Sequence, residues 1–234
     1  MKTALKYFLL GSTLLGWLLL AAAWAQTDSA ALERVLKQMD DAARNFRSTQ
    51  AQVAWDRYDS VIRETETQTG KIYFRREGSE IQTAVEFDKP DAEYVIYSGG
   101  KVQMYQPKID QVNVYDPGKN RGDVESFLVL GFGGAGHELP KSYAVKFLGT
   151  ENVAGVAAEK LELVPTSVSL RNNVARILLW IDPAKGISVQ QQFFEPGGNY
   201  KLAKYSDIKI NQDLPENAFK LKTTKKTRFI PPQG

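Results

Sequence analysis

Few side chains in this sequence are placed to do covalent chemistry. The chain of 234 residues has one histidine, His137, and no cysteine. A nucleophile–base pair or a His-based metal site would have to rest on that one imidazole, which sits next to a glycine loop. His137 therefore reads as a surface residue. Zinc and iron–sulfur sites built on thiolates are excluded outright. The spacing Gly131-x-Gly133-x-x-Gly136 matches a dinucleotide fingerprint, yet it follows a predicted helix and opens none, so it reads as a loop. There is no G-x-S-x-G elbow, no H-E-x-x-H and no phosphate-binding loop. Carboxylates are plentiful, but no pair sits in the apolar setting that paired-carboxylate hydrolysis requires. The expectation is a protein with no catalytic residue, no metal and no cofactor.

Two features stand out instead. On the stretch from Gly70 to Arg76, the side chains of Ile72, Phe74 and Arg76 share one face. An arginine that ends an apolar face must find acceptors or reach water. One reading is that it snorkels from the strand end. The other is a latch, with Arg76 reaching backbone carbonyls of the short helix Val124–Leu130. That helix is nearly all apolar at Val124, Phe127, Leu128, Val129 and Leu130, and Phe132 follows. Gly118 and Gly122 precede its apolar part, and Gly131 to Gly136 follow. Such a segment either packs in the core or acts as a lid over an apolar cavity, with the glycine runs expected to be mobile.

These residues need a scaffold, and the organising stretch runs from Val174 to Ile210. Three apolar-rich runs are separated by the five-residue turns Asp182–Gly186 and Glu195–Asn199, each with Pro early and Gly late. Runs joined so closely must be antiparallel neighbours. The first is apolar on both faces, with Leu178 and Trp180 on one and Ile177, Leu179 and Ile181 on the other, so it is covered on both sides. The third is more mixed and is expected nearer the edge. Upstream, Leu32, Val35, Leu36, Met39, Ala43 and Phe46 form one face of a helix over 28–47, capped by Asp28 or Ser29. Strand patterns follow from Thr49 to Tyr115, including a hairpin turned at Ser98–Lys101, and Tyr143–Leu148 and Ala157–Leu163 add two more. Asp123 is placed to cap the short helix. Ten or eleven strands in meander order form a twisted antiparallel sheet that must curl. The fold class is mainly β with α: an incomplete, half-open antiparallel barrel covered by the N-terminal helix and the short lid helix.

The N-terminus reads as a targeting segment, with Lys2 and Lys6, an apolar run from Tyr7 to Leu20 and a small-x-small site at Ala23-Trp24-Ala25. The competing reading is an uncleaved anchor. Cleavage after Ala25 leaves 234 − 25 = 209 residues, which suits a single domain over 26–234. It also lowers the formal charge from +3 to +1 through loss of the two lysines, against bulk nucleic-acid binding. The tail from Lys220 to Arg228 is basic and reads as solvated, or as a contact for anionic headgroups or an acidic partner.

Taken together the motifs resemble the LolA family of periplasmic lipoprotein carriers. The carried stretches are G-K-I-Y-F-R-R at 70–76, S-G-G-K-V-Q-M-Y-Q-P-K-I-D-Q-V at 98–112, I-D-P-A-K-G-I-S-V-Q-Q-Q-F-F-E-P-G-G-N at 181–199 and L-P-E-N-A-F-K-L at 214–221. The sequence departs from the family pattern in Glu77-Gly78-Ser79-Glu80, where Pro and an aromatic are usual, and at Ser98, where the turn usually has Asp. The resemblance implies a monomeric carrier of acylated lipoproteins or lipid. It would receive cargo from an inner-membrane ABC-type release complex and pass it to an outer-membrane acceptor. It places the latch on Arg76 and the lid on Val124, Phe127 and Leu128. The lipid cavity is then expected from Trp55, Ile72, Phe74, Val85, Phe87, Met104, Leu178, Trp180, Val189 and Phe193. The alternative is a sensor or binding module of the same fold, like the envelope-stress regulator RseB. A secreted hydrolase is the third reading, disfavoured by the single His and absent Cys.

Overall fold

Twelve strands form one continuous sheet in the computed structural model, which describes residues 29–78 and 80–232. The targeting segment and Asp28 lie outside those residues. In chain order the strands are β1 (Ser48–Asp59), β2 (Glu64–Glu77), β3 (Glu80–Lys89), β4 (Glu93–Ser98), β5 (Lys101–Gln106), β6 (Gln111–Tyr115), β7 (Tyr143–Val153), β8 (Val156–Pro165), β9 (Arg176–Asp182), β10 (Ile187–Phe194), β11 (Tyr200–Ile210) and β12 (Arg228–Ile230). Their spatial order is β12-β6-β5-β4-β3-β2-β1-β11-β10-β9-β8-β7. All pairs are antiparallel except β12 on β6. Two meanders, β1–β6 and β7–β11, are thus joined side by side through β1 and β11. The sheet is open, with β7 at one end and β12 at the other.

This joint corrects one expectation. β11 was expected near an edge because its pattern is mixed, yet it is central and paired on both sides. Its wet residues, such as Lys204, lie on the outer face, where Lys204 reaches Asp56 of β1 at 2.7 Å. The inward Ala203 and Tyr205 are buried.

The helix α1 (residues 29–44) packs on the inner face. Val35, Leu36 and Met39 share a buried cluster with Leu161 and Leu163 of β8, Ile177, Leu179 and Ile181 of β9 and Phe193 of β10. Just past the helix end, Phe46 joins a second inner cluster with Val53, Ile72, Phe74 and Phe87 of β1–β3. The expected helical face is therefore the buried one, with only Leu32 left half-buried. Arg34 ties the helix to the buried Glu159 of β8 at 2.9 Å.

The outer face has its own cover. Leu214, Ala218, Phe219 and Leu221 lie over Tyr73, Ala84 and Ile96, and the Arg75 guanidinium sits 4.5 Å above the Phe219 ring. The tail beyond this is partly structured. The Asp110 carboxylate accepts from the hydroxyls of Thr224, Thr227 and Tyr105, and those contacts seat β12 on β6. Sequence reasoning missed both β12 and the short helix at Val168–Arg171, because each is too brief for periodicity to register.

Topology dictates what enters the inner face. β6 and β7 are consecutive in the chain but stand near opposite ends of the sheet. The segment 116–142 must therefore cross from one half to the other. It carries α2 (Arg121–Leu128), the glycine-rich loop, α3 (Leu139–Ser142) and the single histidine.

Candidate functional site

The crossing segment begins as a helix and ends as a plug. α2 is moored to β4 by Tyr97, whose hydroxyl donates to Glu125 at 2.7 Å, while Arg121 pairs with the same carboxylate at 2.7 Å. Burial, then the bond to Glu125, pushes the Tyr97 phenol up to about 12, so it stays a neutral donor. On its inward side Phe127 lies 4.8 Å from Phe193, which is 6.1 Å from Trp55. The helix starts three residues before the expected Val124 and stops at Leu128. Val129 and Leu130 continue as turns held by their amides to Glu125 O and Phe127 O. The side chain of Asp123, the expected cap, lies outside what is described.

Beyond that point the chain drops into the apolar interior. Leu130 and Phe132 are 2% and 0% exposed. The Phe132 ring stacks on Phe74 at 4.6 Å and meets Tyr205 edge-on at 4.9 Å. Three polar contacts hold this loop by its carbonyls. The Gln191 amide donates to Leu130 O, the Ser188 amide donates to Gly131 O at 2.8 Å, and Arg76 Nη2 donates to Gly133 O at 2.6 Å. Arg76 Nη1 also donates to Ala43 O at 3.1 Å, near the end of α1. The latch expectation is thus corrected in its partners. Arg76 does seek backbone carbonyls, but those of Ala43 in α1 and Gly133 in the glycine loop; Val129 O and Leu130 O accept from the Phe132 amide and Gln191 instead.

The glycines also serve a different end from the expected mobility. Gly133 has φ +74°, and a Cβ there would lie 2.4 Å from the Phe46 ring. At Gly136 a Cβ would meet the Leu36 carbonyl of α1 at 2.2 Å. Both are buried, so they allow close approach of the loop to α1.

His137 closes the loop onto the outside of α1. Its Nδ1 meets Asp40, its Nε2 lies 2.9 Å from Glu33, and its amide donates to Asp40 at 3.1 Å. The hydrogen bond to Asp40, then that to Glu33, raises the imidazole above its ordinary value. A raised folded value means that the clamp contributes fully below the unfolded value near 6.5 and is lost as pH rises through the folded one. A proton NMR titration is expected to place His137 above 6.5, and Asp40→Asn to bring it back toward that ordinary value. An unshifted wild-type histidine would remove the clamp.

Around the plug lie three openings. One, of about 550 Å³, sits between α1, the glycine loop and α3, and is lined by Met39, Ala43, Arg76, Ile81, Leu139 and Tyr143 among others. Beside α2 are two smaller ones. One of about 210 Å³ is walled by Tyr115, Val124, Phe127, Leu170 and Val174, and one of about 350 Å³ includes Phe127, Val174 and Phe193.

The expected cavity residues divide between the two faces. Ile72, Phe74 and Phe87 are buried on the inner face, with Trp55 and Val85 partly buried against the same groups, and Phe193 in the neighbouring inner cluster. Met104 is half-buried; its register with Val95, which pairs with Val85, puts it on the inner side, but it joins neither inner cluster. Leu178, Trp180 and Val189 are on the outer face, packed with Ala158, and are corrected as cavity residues. The Trp180 indole finds its acceptor there, Glu151 at 3.1 Å, and Lys160 sits 4.7 Å over its ring. Val189 went astray because register breaks between Ser188 and Gln190. That irregularity turns it away from Phe193, with which simple alternation groups it. Of the lid residues, Phe127 reaches inward, Val124 lines the smaller opening and Leu128 is half-buried at the helix end. Gln191 and Tyr205 escaped notice. A glutamine within Gln190-Gln191-Gln192 and a tyrosine in a mixed strand carry no sequence signal of burial, yet they are 4% and 8% exposed.

The family model for the outer membrane lipoprotein carrier protein LolA matches residues 46–222. No curated protein sequence matches the chain. Among solved structures, an uncharacterized conserved protein from Thermus thermophilus superposes with a TM-score of 0.52 at 15% identity, covering 87% of this chain and 98% of that one. MucB superposes with a TM-score of 0.50 at 16% identity, covering 82% of this chain and 63% of MucB. At such identities the likeness is one of fold.

Proposed function

The chain belongs to the outer membrane lipoprotein carrier protein LolA family, and from that premise we propose that it carries acylated lipoprotein or lipid in the space the plug now fills. The observation that carries this reading is the plug itself. The inner apolar face is completed by Leu130 and Phe132 of a crossing loop whose backbone is held by Arg76, Gln191 and Ser188. Swinging that loop outward would bare the inner sheet face, including Phe74 and Tyr205, without breaking a strand pair. An acyl chain gains about 0.8 kcal/mol per buried CH₂, so an apolar chamber suffices without catalytic residues. Release is the harder step, and a plug that refills the space offsets part of the loss. In this reading the protein is periplasmic, its leader is cleaved after Ala25, and it acts as a monomer. An inner-membrane ABC-type complex supplies the cargo and an outer-membrane acceptor takes it.

The test is to secrete the protein, purify it gently, extract it with organic solvent and identify bound lipid by mass spectrometry. Stoichiometric acyl lipid or acylated peptide is expected. It should fall at least tenfold in Phe74→Glu, which sets a charge against the Phe132 ring position. A lipid-free protein that also ignores an apolar fluorescent probe, but retains a protein partner, would move the reading to a sensor module of the same fold.

A further inference from the structure

The plug is an apolar filler, but two of its contacts are polar and lie deep inside. Gln191 is 4% and Ser188 0% exposed, both on β10. The Gln191 amide nitrogen donates to Leu130 O and the Ser188 amide nitrogen to Gly131 O at 2.8 Å. The two acceptors are consecutive carbonyls of one strand of loop. The approach is close enough to require glycine, since a Cβ at Gly131 would lie 2.3 Å from Ser188 Cβ and 2.7 Å from the Gln191 nitrogen. Tyr205 sets the orientation. Its hydroxyl donates to Gln191 Oε1 at 3.0 Å, which leaves the glutamine NH₂ aimed at the plug. Burial pushes the Tyr205 phenol up, so it remains a donor at any ordinary pH.

Once the loop withdraws, these donors are left in a chamber walled mainly by apolar side chains. A hydrocarbon tail alone cannot satisfy them, and a buried donor without an acceptor is costly. A carbonyl flanked by methylenes can, since it offers the acceptor that the plug backbone offered. We propose that Gln191 and the Ser188 amide form a carbonyl-binding site in the cavity wall, occupied by plug carbonyls in the empty protein and by the ester or amide carbonyl of an acyl chain in the loaded one. The inference rests on the carrier reading above and deepens it. The cavity selects acyl esters and amides over alkyl ethers and plain hydrocarbons, through donors that the empty protein keeps satisfied.

The test compares monopalmitoylglycerol with monohexadecylglycerol, which differ by the carbonyl, as competitors of an apolar fluorescent probe. Wild-type protein is expected to favour the ester roughly three- to tenfold, the range of one net hydrogen bond. Gln191→Met, close in volume and without a donor, should lower the ratio toward one, leaving only the share of the Ser188 amide. Tyr205→Phe, which keeps the ring and frees the amide to rotate, should give an intermediate ratio. Loosening of the plug in either variant raises both affinities alike, so the ratio reports the site alone. Equal binding of ester and ether by wild-type protein would overturn the carbonyl site and leave the carrier reading standing. Failure of both lipids and of the probe to bind would overturn the two together.

Discussion

Phe132→Ala is expected to unfold well before the wild type when empty and to recover most of that loss when loaded with lipid. The ring is fully buried, stacks on Phe74 at 4.6 Å and meets Tyr205 at 4.9 Å. Truncating a buried Phe to Ala typically costs about 3–5 kcal/mol. In a protein of this size that lowers the melting temperature by roughly 10 °C. If the loop carrying Phe132 leaves the chamber on loading, the loaded protein no longer depends on the ring. The deficit should then shrink to a small fraction at saturating lipid, and lipid affinity should rise, because the competing occupant is weaker. Calorimetric melts of both proteins, empty and with monopalmitoylglycerol, decide it. The same deficit in both states would make Phe132 ordinary core and remove the plug.

The scaffold of this site was more legible in the sequence than its contents. Period-2 runs and Pro–Gly turns locate β9, β10 and β11, and a six-residue apolar stripe locates α1, because local spacing alone governs those elements. Patterning also shows that β9 is apolar on both faces. It does not show which face meets α1, since Leu178 and Leu179 are equally apolar; that choice is made by what covers each side. The outer cover of the Trp180 cluster comes from Val153 and Val156, from Phe194 and from Ile208, on three separate stretches of the chain. The register break at Ser188–Gln190 depends on hydrogen bonds to β9, with no Gly or Pro to mark it. Phe132 could be recognised as apolar, but its role follows from the crossing between β6 and β7, a property of the whole sheet. Arg76 was legible as a cation ending an apolar face, but whether it turned inward or to water, and which carbonyls it met, was not, because Ala43 and Gly133 are distant from it in the chain.

Replacing Arg76 by leucine should shift the same equilibrium from the other side. Its two donors bridge Gly133 O of the plug and Ala43 O of α1, at 2.6 and 3.1 Å, from a partly buried position. A hydrogen bond from a charged donor contributes about 1.5–3 kcal/mol. Only the bond to Gly133 must break for the plug to leave, so the closed state should lose roughly that amount. While the closed state dominates, apparent lipid affinity rises by the same factor, about 10- to 100-fold. If the returning plug displaces the bound chain, a weaker closed state should also slow the departure of lipid from the variant. Stronger binding and slower transfer to acceptor vesicles are therefore one prediction seen from two sides. Arg76→Lys offers a single point donor in place of the planar fork, so it should lie between leucine and wild type. Stopped-flow transfer of a fluorescent acyl lipid measures both directions. If Arg76→Leu weakens binding instead, the guanidinium contacts the cargo rather than holding the plug, and the bridge to Gly133 is a feature of the empty protein without consequence for release.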